Sequence, residues 1–243
     1  MRRSSRGEGV RVSRDVFTVL VVCTGNINRS ALGAVLLETW AHWYLPSTLA
    51  AGVRVTSAGL RAPVGSPMGR RTKVIADALG TDGTRHRAAQ ISEEVIRAAD
   101  LVLVSSTDQR DAVLGLVPSV VRSTFTIREA GRIAAILPDA PAPQSVEELR
   151  ARVAALAGNR AAVDRAYDVD IIDPQGKDDE AYRLMTRQEV PPLAGLAHTL
   201  FGMPLGEVAA YETAADSAAF SFEGVPTRPS EVVRPRARWR RKA

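Results

Sequence analysis

The sequence predicts an α/β fold, a four-stranded parallel sheet with helices on both faces in the Rossmann-like manner. Three observations carry this reading. Short β-favouring runs at 16–22, 53–57, 101–105 and 123–127 alternate with stretches of helical period. The run LVLVS at 101–105 is apolar almost throughout, the pattern of a strand covered on both faces. Turn and cap residues, among them Gly59, Gly80 and Ser92, stand at the junctions.

Taken in order, residues 16–22 form the first strand, and 30–43 a helix with Ser30 placed to cap it. Residues 53–57 (VRVTS) form a short strand that ends at Ala58-Gly59. Residues 66–80 read as a helix closed by Gly80, and 92–99 as another opened by Ser-Glu-Glu. After the buried strand, 107–114 is helical, 123–127 is the fourth strand and 128–136 a further helix. The segment 137–166 breaks the alternation. Its PDAPAPQ turn region leads into an amphipathic helix opened by the capping-box pair Ser145 and Glu148, an insertion packed on the sheet. Residues 178–189 are helical, interrupted or ended by Pro191-Pro192, with 193–202 resuming the helix. Beyond 205 no helical or strand period is evident.

Composition narrows the functional classes. One cysteine in 243 residues cannot close an intramolecular disulfide, and no apolar run reaches the roughly 18 residues of a membrane span. No apolar stretch and cleavage site of a signal peptide follows the arginine-rich start, so a cytoplasmic protein is expected. The net charge of +5 is unevenly placed: residues 1–14 carry +4 and 227–243 carry +6, which leaves the body acidic. Such tails are expected to be solvated and disordered, with contact to nucleic acid or an acidic surface as the alternative. No cofactor motif and no metal-ligand spacing stands out; His42 and His198 fall in helical patterns as packing or surface residues.

The chemistry is concentrated in CTGNINRS, residues 23–30, between the first strand and its helix. A thiolate is a nucleophile, and backbone N–H groups converging from a tight loop before a helix N-terminus stabilise an anion there. Gly25 and Asn26 tolerate the dihedrals such a loop needs. Arg29 offers a planar fork for two phosphoryl oxygens, and Ser30 is near enough in sequence to hydrogen-bond the sulfur. The candidate site therefore comprises Cys23 as nucleophile, with Thr24, Gly25, Asn26, Ile27, Asn28 and Arg29 as the phosphate-binding loop. A general acid is also required. Asp168, Asp170, Asp173, Asp178 and Asp179 all lie in one region, and spacing does not choose among them.

The loop resembles the C-x-G-N-I-C-R-S signature of the low-molecular-weight protein tyrosine phosphatases. The likeness runs over about residues 16–190. Thr56 to Leu60 (TSAGL) resembles the family's SAG segment, His86 to Gln90 (HRAAQ) its H-R-A-R segment, 99–104 its third strand, and Asp170 to Pro174 (DIIDP) its acid loop. The resemblance implies a cysteinyl-phosphate mechanism without metal or cofactor, in which Asp173 protonates the leaving group and then activates water. It also implies that Ser57 holds Asn26 and that His86 is structural. The domain then spans 15–204 with an expanded stretch at about 138–168, after a basic N-terminal tail at 1–14 and before a C-terminal extension at 205–243.

Three departures stand out: Asn28 where the family has a second cysteine, Gln175-Gly176 where aromatics line its slot, and Ala31 in place of a proline. The first deprives Cys23 of a disulfide partner against oxidation. Ile27, by the family's pattern, goes with phosphotyrosine, whereas threonine there goes with phosphoarginine. A phosphotyrosine protein is thus the expected partner, with a bacterial tyrosine kinase or a polysaccharide-biosynthesis protein as its family-implied kind. The alternatives are a protein-arginine phosphatase, an arsenate reductase using an external small thiol, and a weakly catalytic phosphopeptide-binding protein.

Overall fold

A computed structural model describes residues 15–163, 168–217, 220–223 and 225. The expectations for the two basic tails lie outside the described residues. In chain order the elements are β1 (Phe17–Cys23), α1 (Arg29–Tyr44), α2 (Ser47–Ala50), β2 (Val53–Gly59), α3 (Arg70–Ala78), α4 (Glu93–Ala98) and β3 (Leu101–Val104). They continue with α5 (Thr107–Leu116), β4 (Thr124–Thr126), α6 (Ile127–Ala134), α7 (Val146–Gly158), α8 (Asp179–Phe201) and α9 (Leu205–Ser217). Among the described residues, no helix is long and apolar enough to cross a membrane.

The four strands are parallel and ordered β2-β1-β3-β4, with Cys23 opposite Gly59 and Val22 opposite Val104. Period-2 alternation divides the central strands between two cores. Val19, Val21, Leu101 and Leu103 face α1, α6, α7 and α8, whereas Leu20, Val22, Val102 and Val104 face Ile96 of α4 and Val113 of α5. Every residue of β3 is fully buried, as its unbroken apolar run predicts. Each such aliphatic side chain contributes about 1.5–3 kcal/mol of transfer free energy.

Because β2 lies on one side of β1 and β3 on the other, the chain reverses its direction of progress between β1 and β3. The turns leaving their carboxyl ends go to opposite faces and open a crevice there. A cavity of about 560 Å³ occupies it, with Thr24 and Arg29 on one side and Ser106, Asp108 and Gln109 on the other.

Local chemistry accounts for most helix starts. Ser92 and Ser106 accept backbone N–H bonds from Val95 and Gln109, and Thr126 with Glu129 completes a capping box. Only half of the expected box forms at α7. Ser145 caps the N–H of Glu148, but the Glu148 carboxylate turns to the N–H of Gln144. That helix stops at Gly158, short of 166. Ser30 is no cap either, since α1 starts at Arg29 and the Ser30 hydroxyl points at Cys23. The expected helix from 66 begins only at Arg70; Pro67 disfavours helical backbone at Ser66.

Two larger differences concern the C-terminal half. Pro191 and Pro192 lie inside α8, which neither stops nor breaks there. An internal proline costs a helix about 3 kcal/mol, yet Val190, Leu193, Ala194, Leu196 and Ala197 are fully buried around this pair and hold the helix together. Gly131 of α6 lies so close to Pro192 that an added Cβ would stand 2.5 Å from its ring. Past 205, where no period is legible, α9 packs on α8, and its Tyr211 meets Trp40 of α1 edge-on at 4.8 Å between centroids. Phe220 and Phe222 join the same core. The apolar face of α9 is narrow, with Val208 and Ala215 its buried residues, so the sequence carries little amphipathic signal.

Candidate active site

The loop after β1 is fixed from four directions. Gly59, at the end of β2, approaches it so closely that a Cβ would stand 2.8 Å from the Thr24 carbonyl and 3.0 Å from the Asn26 nitrogen. Asn26 adopts a left-handed backbone (φ 53°), which asparagine tolerates better than most residues. Its side chain is fully buried; Oδ1 accepts from the Ala89 N–H at 2.8 Å and Nδ2 donates to Ser30 Oγ at 3.0 Å. Its carbonyl accepts from His86 Nε2 at 2.7 Å, which fixes the neutral tautomer of a ring that burial pushes below its ordinary pKa. Gln109 ties the loop to β3, donating to Thr24 Oγ1 at 3.2 Å and accepting from the Ser105 N–H at 2.9 Å.

Cys23 sits at the floor of this loop, 2% exposed. The Asn26 N–H donates to its sulfur at 3.2 Å, and Ser30 Oγ lies 3.0 Å away. That oxygen already accepts from Asn26, so its own hydrogen is available to the sulfur. The backbone N–H groups of Gly25, Ile27 and Asn28 have no hydrogen-bond acceptor among the described residues, which leaves them for an anion at the mouth of α1. Ser57 does not hold Asn26. It pairs with Val21, two residues before the strand's end, and so stands about 7 Å short of the loop. The Asn26 anchors are Ser30, Ala89 and His86 instead.

Arg29 is buried in the first turn of α1. Its Nη1 donates to the Ile171 carbonyl at 3.2 Å, and its Nη2 lies 2.6 Å from Asp173 Oδ2. The arginine thereby joins the phosphate loop to the segment 168–178. Within that segment the structure separates the acids that spacing could not. Asp170 accepts from the N–H and hydroxyl of Thr107, Asp168 pairs with Arg128, Asp178 caps α8 at Ala181, and Asp179 pairs with Arg71 at 2.6 Å. Of these five aspartates, Asp173 alone lines the cavity with Thr24 and Arg29. It keeps 46% of its side chain exposed, so the attraction to Arg29 is screened.

The acid segment is pinned close to the loop. The N–H of Ile171 donates to Ser105, that of Ile172 to Gln188, and that of Gln175 to Asp173 Oδ1 at 3.1 Å. Asn28 bridges the two directly: its Nδ2 donates to Gln175 Oε1 at 3.0 Å while its Oδ1 accepts from Thr72 Oγ1 at 2.7 Å. The remaining cavity wall is Leu60, Arg61, Ala112 and Leu116, with no aromatic side chain.

Two residues next to these groups were not singled out from sequence. Gln109 carries no signal beyond its place one turn into a helix. Glu189 does carry one, since it stands on the apolar face of α8 beside Met185 and Leu193, where a charge is out of place.

A sequence profile described as low molecular weight phosphotyrosine protein phosphatase matches residues 18–129, from β1 into α6. Asp173 lies beyond that match. The chain is 34% identical over 113 residues to a protein-arginine-phosphatase of Geobacillus stearothermophilus, covering 46% of this chain and 70% of that one. It is 36% identical over 112 residues to a probable low molecular weight protein-tyrosine-phosphatase, EpsP, of Ralstonia solanacearum, covering 46% and 71%. Among solved structures, the YwlE arginine phosphatase of G. stearothermophilus superposes with a TM-score of 0.54 at 27% identity, over 78% of this chain and 96% of that one. A low molecular weight protein tyrosine phosphatase from T. tengcongensis shares the fold at a TM-score of 0.51 and 24% identity, over 76% and 98%. With this loop, this sheet order and these relatives, the chain belongs to the low molecular weight phosphotyrosine protein phosphatase family.

Proposed function

We propose that this chain hydrolyses phosphotyrosine, an aryl phosphate, through a cysteinyl-phosphate intermediate. The observation that carries the reading is the pairing of Arg29 with the Asp173 carboxyl at a cavity walled by Thr24, next in chain to the Cys23 sulfur that the Asn26 amide and Ser30 hold. In the first step the Cys23 thiolate attacks phosphorus. Arg29 and the loop N–H groups hold the equatorial oxygens, and protonated Asp173 gives its proton to the departing phenolate oxygen. In the second step the Asp173 carboxylate takes a proton from water, whose oxygen attacks phosphorus. The S–P bond breaks, and Ser30 hydrogen-bonds the returning thiolate.

A phosphoarginine substrate is the second reading. Likeness to an arginine phosphatase and the Asp108 carboxylate on a wall without aromatics favour it, while Ile27, by the pattern the family resemblance implies, favours phosphotyrosine. Partners of the family-implied kind, a tyrosine kinase or a polysaccharide-biosynthesis protein, accord with the first.

Hydrolysis of para-nitrophenyl phosphate by the wild type, Cys23→Ser and Asp173→Ala tests the mechanism. Cys23→Ser is expected to be inactive, and Asp173→Ala to lose most turnover while still binding phosphate. An inactive wild type, or an active Cys23→Ser, would sink it.

A further inference from the structure

Among the described residues, Glu189 is an ionisable group in an unusual setting. It lies on the inner face of α8 with no solvent exposure, and neither carboxyl oxygen has a hydrogen-bond partner. Burying a carboxyl in this way costs free energy unless something else is gained. Its neighbour across the helix interface is α1. There Gly33 leaves the space the carboxyl uses: a Cβ at that position would stand 3.0 Å from Glu189 Oε1. Glycine in mid-helix costs about 1 kcal/mol relative to alanine, so the room is made at the expense of α1.

Gly33 is four residues after Arg29, one helical turn along the same face. Arg29 accordingly acts electrostatically on Glu189. Both amino groups of its guanidinium are taken, by Ile171 and Asp173, but its buried Nε has no partner. An unpartnered carboxyl beside Gly33 and an unpartnered guanidinium edge one turn before it are thus both buried along the same side of α1.

We propose that Glu189 is a positioning residue for Arg29, backing its Nε edge from α8 so that the amino groups face the phosphoryl oxygens. Burial pushes the carboxyl well above its usual range, against the pull of Arg29, and so favours its uncharged form. An uncharged acid can accept from Nε through its carbonyl oxygen without adding a negative charge behind an anion-binding loop. The inference rests on Arg29 being the phosphoryl clamp.

The test compares Glu189→Gln and Glu189→Leu in aryl phosphate kinetics, in affinity for inorganic phosphate by calorimetry, and in thermal melting. Glutamine keeps a neutral acceptor of the same shape and is expected to lose less than about threefold in kcat/KM. Leucine removes the acceptor, and kcat/KM and phosphate affinity are each expected to fall about tenfold or more. Its melting temperature should stay level or rise, because an apolar side chain replaces a buried carboxyl. That opposition of activity and stability is what a merely structural residue would not give. A leucine variant with wild-type kinetics and phosphate affinity overturns the proposal. So does a glutamine variant as impaired as leucine, or losses that only track the unfolded fraction. Weaker phosphate binding in the leucine variant of a chain that hydrolyses no aryl phosphate would sustain Glu189 while removing the phosphatase reading.

Discussion

Replacing Gln175 by alanine tests whether the acid segment is held in place by the phosphate loop. Asn28 and Gln175 each depart from the family pattern, and in the structure they meet, 3.0 Å apart, in a bond that spans 147 residues of chain. Alanine at 175 removes that bond but keeps the backbone N–H that donates to Asp173 Oδ1. It also leaves Asn28 anchored to Thr72. Gln175 is exposed and its bond only partly buried, so the loss is about 1 kcal/mol. Little of this reaches global stability, because the segment remains tied through Ile171 and Ile172. It falls instead on the population with Asp173 poised over the loop, by about fivefold. The effect should appear where the proton matters. With phenyl phosphate, a basic leaving group, kcat is expected to drop about fivefold, and with para-nitrophenyl phosphate by clearly less. Equal losses on both esters would place the bond in phosphate binding, and no loss on either would mean that the segment needs no such tie. Both outcomes refute the reasoning.

Ile27→Thr should raise turnover of a phosphoarginine peptide relative to a phosphotyrosine peptide, and an unchanged ratio in paired assays would remove Ile27 as the selector. His86 should make stability fall on acidification. Its folded pKa lies below the ordinary 6.5, so the unfolded chain binds the proton first. The His86 contribution is therefore complete above about pH 6.5 and is lost as pH falls through the lower folded value. Urea melts between about pH 7.5 and 5 should show this slope in the wild type and a shallower one in His86→Gln; matching slopes would contradict it.

Strand order aside, the sheet was legible because β1 and β3 are buried on both faces and read as continuous Val/Leu runs that few other structures accommodate. The geometry of the loop was legible for a different reason: it is local, and eight residues of chain, 23–30, hold the sulfur, its hydroxyl neighbour and the arginine. What failed did so through long-range packing. Pro191-Pro192 reads as a break because propensity is local, while the burial that overrides it comes from other elements. The α9 helix reads as irregular because its buried side is narrow. The resemblance gives Ser57 to Asn26, yet strand register sets Ser57 opposite Val21, short of the loop. The five aspartates of the acid segment could be sorted only by their partners, since four of them are engaged away from the cavity, in a cap, ion pairs and hydrogen bonds that no spacing rule reveals.

The ion pair between Arg29 and Asp173 bears on the order of events in the proposed reaction. In the structure the arginine's two amino groups are divided, one on the Ile171 carbonyl and one on the carboxylate. A phosphoryl group that takes the fork competes with Asp173, whose carboxyl is half exposed and weakly held, and not with the buried Ile171 contact. Arg29 keeps its anchor to the acid segment while releasing the acid. Freed beside the loop and still tethered by Gln175, the carboxylate can take up a proton from solvent and then pass it to the leaving oxygen. Substrate binding and delivery of the acid become one exchange at a single guanidinium, which is why the groups that hold that guanidinium from behind matter as much as those that face the phosphate.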